Sequence, residues 1–438
     1  MFLPDYVREC VDALEAGGFP AYAVGGCVRD FLLGMTPHDY DLCTAATPAQ
    51  IKQVFHNRQL VLAGEKHGTV SVVTQAGLVE ITTFRTEGSY EDGRHPDWVR
   101  FVTDIAQDLS RRDFTVNAMA YSPTRGLADP FGGREDLKNH VLRAVGDPKV
   151  RFQEDALRIL RGARFSVRYG LAVEPATFDA MLSLAPLMDR LARERVFDEL
   201  NKLLPLVNAA DLLTFAPLIT QVIPELAPAV GFDQHSPYHA YDVFTHTACV
   251  VQSMPPDITL RWAALLHDVG KPQTFDIDEN GRGHFPNHAR VGEEIANAVL
   301  LRLKSSTVLR EQVTALIARH MTPLEPDKKL LRRRLGKYGV DAIRQLLTLQ
   351  RADFGCKGTK AQTDFFDRTE ALLEELLSED ACLRIKDLAV DGHDLMALGF
   401  APGPGIGNCL AWLLGLVQEE RLPNEKQPLL EAARHYQK

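Results

Sequence analysis

Two aspartates one residue apart, Asp39 and Asp41, close the stretch GGCVRDFLLGMTPHDYDL (25–42). On a strand, residues i and i+2 project to the same side. Two carboxylates side by side offer hard oxygen donors suited to Mg²⁺, an ion that binds phosphates and stabilises phosphoryl transfer. Upstream, Gly25 and Gly26 let backbone N–H groups approach a polyphosphate, at the start of a segment read as a helix. A lone DxD is a common surface tripeptide; the full spacing from GG through VRD to DxD is what singles this one out.

A second constellation lies in the C-terminal half. LLHDVGKP (265–272) carries His267 and Asp268, with His246 upstream and His288, His320 and Asp353 downstream. This set resembles that of HD-domain phosphohydrolases, whose sites bind divalent transition metals such as Ni²⁺ or Mn²⁺ through neutral imidazoles and carboxylates.

The elements that must position these groups change along the chain. Residues 1 to about 145 mix β-rich runs at 21–26, 39–44, 68–74 and 78–84 with helices at 5–16, 28–34 and 48–57, the last N-capped by Thr47 with Pro48 at N1. From about 148 onward strand signals nearly vanish. Helical periodicity marks 152–169, 176–184, 191–206, 241–252, 258–268, 289–303, 307–320, 340–352, 362–377 and 426–436.

The 438 residues, 45% hydrophobic, suffice for two to four domains. No apolar run is long enough to span a membrane, so a soluble, cytoplasmic protein is expected. Seven scattered cysteines without a CxxC pair argue against a disulfide framework and a zinc ribbon. The net charge of −9 gives no general reason to bind nucleic acid. An RNA partner requires local basic stripes, which exist at Arg151, Arg158, Arg161, Arg164 and Arg168, and in KKLLRRRLGK (328–337).

GGCVRDFLLG…HDYDL resembles the signature of class II tRNA nucleotidyltransferases and bacterial poly(A) polymerases, in the polymerase-β-like nucleotidyltransferase superfamily. RRDFTVNAMAY (111–121), DPFGGREDL (129–137), RFQEDALRILRGARF (151–165) and RERVFDEL (193–200) follow in the family's order. The histidine–aspartate set closely resembles HD-domain phosphohydrolases, and Lys271 also fits. The resemblance implies an α+β nucleotidyltransferase head with a small mixed or antiparallel sheet (1–145), followed by an all-α neck for base selection and RNA binding (146–228). It further implies an HD metal-binding helical domain (229–360) and a C-terminal helical body and tail contacting tRNA (361–438).

The implied chemistry is template-independent addition of CCA to tRNA. An RNA 3′ hydroxyl attacks the α-phosphate of CTP or ATP and releases pyrophosphate, with Mg²⁺ held by Asp39, Asp41 and Glu80. Arg29, Asp30, Arg111, Arg112, Asp113 and Asn117 would serve the triphosphate and sugar; Asp113 and Asn117 share a face if that stretch is helical. Asp155 and Arg158, neighbours on a helix, would read the base, with Arg161 and Arg164 beside them. An acceptor next to a donor matches the amino and ring-nitrogen edge of both cytosine and adenine. It mismatches uracil and guanine, at about 1–3 kcal/mol per buried unpaired group. Ala156 stands where relatives often carry proline, a departure expected to affect how the helix begins. The segment 84–101 resembles the loop that helps full CCA-adding enzymes switch nucleotide.

Three alternatives remain at this level: a poly(A) polymerase, a partial CC- or A-adding enzyme, and an HD phosphohydrolase whose N-terminal domain merely binds nucleotides. GEKHGTVSVV (64–73) and the unremarkably charged C-terminus favour CCA addition over poly(A) synthesis. The HD domain suggests an additional metal-dependent phosphohydrolase activity. Monomer and homodimer are both compatible with the sequence.

Overall fold

The computed structural model describes residues 3–88, 98–237, 239–358, 364–378, 382 and 384–436. The chain forms two compact units: Met1–Val207 with Thr214–Pro224 and Arg302–Lys304, and Asn208–Leu213 with Glu225–Leu301 and Ser305–Lys438. Among the described residues, no helix is long and apolar enough to cross a membrane.

The first unit is built on a seven-stranded mixed sheet. Its order is Leu60–Val61, Thr69–Thr74, Gly77–Thr83, Asp41–Thr44, Ala21–Val24, Ala120–Ser122 and Gly126–Ala128. All pairings are antiparallel except Asp41–Thr44 with Gly77–Thr83, which run parallel. Alternation fixes the faces: Val79, Ile81 and Thr83 are buried while Glu80 between them is exposed. In register, Asp41 stands opposite Glu80. Thr47 and Gln50 form the expected cap, the Thr47 N–H donating to Gln50 Oε1 at 2.8 Å, with Pro48 opening the helix Pro48–Val54.

The sequence reading needs two corrections here. The strand begins at Asp41, leaving Asp39 on its lead-in. The helix expected over 152–169 is broken into Pro148–Glu154 and Leu157–Tyr169. Asp155 at the break is extended (φ −144°, ψ 103°), and its Oδ1 accepts the Leu157 N–H at 3.0 Å, so it acts as a cap for the second helix. An Asp that caps cannot sit inside a helix, and Asp155 and Arg158 therefore do not share a continuous helical face.

DPFGGREDL proves to be a support. Asp129 accepts the N–H groups of Gly133 and Arg134 at 2.7 and 2.9 Å, capping the helix Gly133–Lys138. Asp136 on that helix accepts from Thr115 Oγ1 at 2.7 Å and so holds the 3₁₀ turn Thr115–Asn117. Gly133 passes so close to this turn that a Cβ would stand 2.2 Å from the Thr115 carbonyl oxygen.

Among its described residues the second unit is helical, apart from turns and a small hairpin pairing Asp276–Ile277 with Gly283–His284. The helices Val243–Ser253, Ile258–Leu266, His288–Arg302, Thr307–Arg319 and Val340–Gly355 carry the histidine–aspartate set at or next to their ends. Asp242, Asp257 and Ser306 cap three of them through side-chain oxygens. Helices Lys328–Tyr338 and Pro404–Gln418 are present though periodicity did not mark them; the first has only Leu331 and Leu335 buried, too sparse a stripe to read. Cys249 and Cys356 form a disulfide with Cα atoms 5.7 Å apart, against the expectation drawn from cysteine spacing. A sequence separation of 107 carries no pairing signal. The remaining five cysteines are free and buried.

Gly133→Ala should cost about 1–3 kcal/mol, because the added methyl meets backbone that cannot step aside. Chemical denaturation would show it as a lower midpoint with an unchanged slope. Wild-type stability would contradict the close approach.

Candidate functional site

In the first unit the site grows from the edge where Ala21–Val24 ends. Gly25 has φ 75° and ψ −122°, a conformation open only to glycine, and it begins the helix Gly26–Leu32. A Cβ there would lie 2.8 Å from Nη1 of Arg112. Gly25 thus lets a guanidinium settle over the turn.

Arg111 and Arg112 are anchored by Asp108, a residue that sequence reasoning passed over although it sits three and four positions before them. Fully buried, Asp108 accepts from Arg111 Nε and Nη2 at 3.1 and 2.9 Å, and from the Arg85 N–H at 3.1 Å. Arg112 Nη2 is 3.8 Å from its other oxygen, and Arg112 Nε is buried without a hydrogen-bond partner.

Asp41 feels Arg112 from one side and carboxylates from the other. Its side chain retains solvent access, yet the surrounding protein desolvates it and pushes its pKa up. Glu80 adds to the rise, Arg112 opposes it, and Asp39 contributes further. Like charges gathered this way are unfavourable alone and suit a cation, so the oxygen donor set fits Mg²⁺ in kind. The three carboxylates do not draw within 4.8 Å of one another as a group, as the histidine cluster does.

Beside them runs a buried polar chain. Arg29, 6% exposed, donates to Asp30 Oδ1 at 2.9 and 2.7 Å, to Asn117 Oδ1 and to the Tyr169 hydroxyl, and lies 4.2 Å from the centre of the Tyr169 ring. Asn117 donates to Asp113 Oδ1 at 2.9 Å; the expected contact exists, made by a 3₁₀ turn instead of an α-helix. Arg161 donates to Asp113 Oδ2 from Nε at 2.9 Å and Nη2 at 2.7 Å. Burial alone would raise the Asp113 pKa, but Arg161 and the Asn117 amide outweigh it and lower it to about 2. Glu199 closes the chain, accepting from Arg164 Nε at 2.6 Å with Arg161 Nη1 at 4.0 Å. Tyr169 and Glu199 carried no assignment from the sequence; Glu199 lies in the quoted RERVFDEL.

Asp155 and Arg158 are brought near this chain but not to each other. Asp155 Oδ2 pairs with Arg195 Nη2 at 2.9 Å. Arg158 donates to Glu154 Oε2 at 2.6 Å and to the carbonyls of Arg151 and Arg111 at 3.0 and 2.8 Å. Much of the nucleotide-switching loop expected at 84–101 lies outside the described residues; 85–87 and 99–101 pair as an antiparallel hairpin.

The second unit holds a buried cluster around Asp268. Four imidazoles present Nδ1 to main-chain carbonyls: His246 to Cys356 (3.2 Å), His267 to Ala264 (2.8 Å), His288 to Phe285 (2.8 Å) and His320 to Ile317 (2.7 Å). A carbonyl only accepts, so each Nδ1 carries a proton, and wherever the ring is neutral its Nε2 is left with a lone pair. The four Nε2 atoms lie 3.6, 3.2, 3.7 and 3.8 Å from Asp268, in the same order.

With neutral rings, two contacts oppose acceptor to acceptor: His246 Nε2 to Asp353 Oδ1 at 3.0 Å, and His288 Nε2 to His320 Nε2 at 3.2 Å. His267 Nε2 is buried without a hydrogen-bond partner. A proton or a metal ion resolves such oppositions, and the donor set fits a divalent transition metal. Burial would raise the Asp268 pKa, but His267 and Lys271 hold it well below the carboxylate range. Burial lowers His320 to about 4, with His267 adding to the drop. Lys271 Nζ reaches Asp268 Oδ2 at 2.7 Å and Gln234 Oε1 at 2.9 Å. His239, unassigned from the sequence, stands 5.5 Å from the His246 ring, and burial lowers its pKa to about 4.

Comparison with known proteins gives a consistent result. Residues 21–143 match the Poly A polymerase head domain, 170–230 the Probable RNA and SrmB-binding site of polymerase A, and 287–433 tRNA nucleotidyltransferase domain 2. The CCA-adding enzyme of Levilactobacillus brevis is 35% identical over 98% of this chain and 97% of its own length. That of Limosilactobacillus fermentum is 34% identical over 97% and 95%. Among solved structures, the CCA-adding enzyme of Bacillus stearothermophilus in complex with CTP superposes with a TM-score of 0.74 at 27% identity, covering 100% of this chain and 98% of its own.

The raised pKa of Asp41 yields a stability prediction. The folded protein keeps that proton to higher pH than the unfolded chain, so stability falls as pH rises through the folded pKa. Asp41→Asn should therefore raise the melting temperature of the metal-free protein at neutral pH, the gap closing in acid. A lower melting temperature at neutral pH would show that Asp41 is not under carboxylate repulsion.

Proposed function

This chain belongs to the CCA-adding enzyme family, and we propose on that premise that it extends tRNA by C, C and A from CTP and ATP. The observation that carries the reading is the parallel register of Asp41 with Glu80 beside the Gly25–Arg112 turn. It sets oxygen donors next to a guanidinium at a glycine-opened helix start, the arrangement a nucleoside triphosphate requires.

Asp39, Asp41 and Glu80 would hold Mg²⁺, which when bound withdraws charge from the reacting phosphate and makes the RNA hydroxyl more acidic. Arg112, its Nε free of protein partners, faces the triphosphate. Arg111, held by Asp108, keeps the backbone of this turn in place. Arg29 and Asp30 meet the sugar and phosphates from the next helix, with Asp113 and Asn117 steadying Arg29. The 3′ oxygen bonds to the α-phosphorus as the anhydride breaks and pyrophosphate leaves.

Base reading falls to Asp155 and Arg158. An incoming cytosine or adenine exchanges with Arg195 at Asp155 and with Glu154 at Arg158, taking an acceptor and a donor that now serve protein partners. Arg161 and Arg164 are committed to Asp113 and Glu199 and support this face. Such a protein works in the cytoplasm, where tRNA matures.

Incubation with tRNA ending at its discriminator base should give two additions with CTP and one more when ATP follows. A long ladder with ATP alone would sink the proposal in favour of poly(A) synthesis, and a stop after CC would restrict it to partial addition. Asp41→Ala should abolish incorporation by at least about 10³-fold, the scale of lost transition-state charge stabilisation.

The buried acceptor oppositions in the second unit favour a further reading. His246, His267, Asp268, His288, His320 and Asp353 would bind Ni²⁺ or Mn²⁺ for hydrolysis of phosphate esters. His267→Ala should leave CCA addition unchanged while removing Mn²⁺-dependent release of phosphate from a generic phosphoester. Hydrolysis that survives the substitution would place that activity elsewhere.

A further inference from the structure

The Cys249–Cys356 pair lies where neither the sequence nor the reaction called for it. Cys249 is one helical turn from His246 on Val243–Ser253, and Cys356 follows the end of Val340–Gly355, three residues beyond Asp353. Three ties therefore join the same two short stretches: the disulfide, the His246 Nε2 to Asp353 contact at 3.0 Å, and the His246 Nδ1 hydrogen bond to the Cys356 carbonyl at 3.2 Å. The Cα separation of 5.7 Å lies inside the usual span for a disulfide.

We propose that Cys249 and Cys356 are a reversible thiol–disulfide site that sets the affinity of the histidine–aspartate cluster for a divalent metal. The inference rests on the metal reading of that cluster. Bonded sulfurs hold the two stretches together and pre-organise His246 against Asp353. Reduced sulfurs must retreat to van der Waals separation, and a close-packed interior passes that movement on. Its first recipients are the Cys356 carbonyl, which fixes the His246 tautomer, and Asp353 one turn before it. Loss of such an orienting contact weakens metal binding by about 10-fold or more.

The chemistry balances with a small-molecule disulfide as oxidant. Cys249, the more exposed of the two, attacks one sulfur of RSSR as the thiolate and expels RS⁻. Cys356, 4% exposed, then attacks the Cys249 sulfur of the mixed disulfide and expels the second RS⁻. Two protein thiols are oxidised and one RSSR becomes two RSH. Ser253 Oγ, 3.5 Å from Cys356 Sγ, supplies a hydroxyl beside the buried sulfur. In a thiol-reducing compartment, protein disulfides are characteristically transient or redox-sensing instead of structural.

The full-length protein, stripped of metal, would be oxidised with glutathione disulfide or reduced and desalted under nitrogen. Free thiols counted after denaturation should number five in the oxidised sample and seven in the reduced one. Mn²⁺ titration of the Asp41→Ala protein, which removes the first unit's carboxylate site from the count, followed by paramagnetic resonance should show about 10-fold tighter binding to the oxidised form. Cys249→Ser should bind like reduced wild type in both conditions; Cys356→Ser is the second variant should the first fail to fold. Seven thiols after oxidation, or equal affinities in the two states, would overturn the proposal. Absence of Mn²⁺ binding in both states would overturn the metal reading itself, and the thiol count distinguishes the two failures.

Discussion

A guanidinium taken out of water must have its donors met, and Arg29 is 6% exposed. Much of the first unit's site follows from that requirement. Asp30 supplies the counter-charge from the same helix, while Asn117 and the Tyr169 hydroxyl come from elements far away in sequence. Asn117 can accept only if its amide is held, and Asp113 holds it. Asp113 stays ionised because Arg161 pairs with it, and Glu199 then sits between Arg161 and Arg164. One buried charge thus fixes a turn, the helix Leu157–Tyr169 and the helix Arg193–Leu203 relative to the glycine turn. Each motif looks like a nucleotide contact in isolation; together they are also one another's electrostatic partners.

The two ionisable clusters reach readiness for cations by opposite routes. Asp39, Asp41 and Glu80 keep access to solvent, and their crowding appears as a raised pKa on Asp41. A site that must admit a large polyanion and release its product cannot be dry before the substrate arrives. The Asp268 cluster is closed, with His246 and His267 fully buried, and its charge is balanced internally by Lys271. Imidazoles make such burial affordable, since each can shed its charge without losing its ligand atom, whereas a desolvated carboxylate set of equal size would protonate.

Much of this was legible in the sequence because type and spacing survive without coordinates. The family resemblance pointed to Glu80, the DxD spacing led to Asp41, and the strand register sets the two opposite each other. The order of the histidines and aspartates in the second unit anticipated residues that converge on Asp268. What escaped depended on long-range pairing or on a local conflict between propensities. Asp155 reads as helical by periodicity, yet its carboxylate prefers to cap Leu157, and this breaks the helix. Asp108 drew no reading from the sequence, because the two arginines and the strand amide that close over it are visible only in the fold. The Cys249–Cys356 pairing has no local signature at all.

The four proton positions in the second unit are set by the main-chain oxygens of Ala264, Phe285, Ile317 and Cys356. Every amino acid brings that oxygen, so the side chains at Ala264, Phe285 and Ile317 can change without disturbing which nitrogen is protonated, while at Cys356 the side chain is itself tied to Cys249. Selection on tautomer identity is exerted through backbone geometry: the oxygen lies three residues before the ring in three of the four cases, twice at the end of a helix. A comparison of residue identities would pass over these positions as unconstrained. The control is inherited as backbone shape, and a substitution that unwinds a helix end removes it.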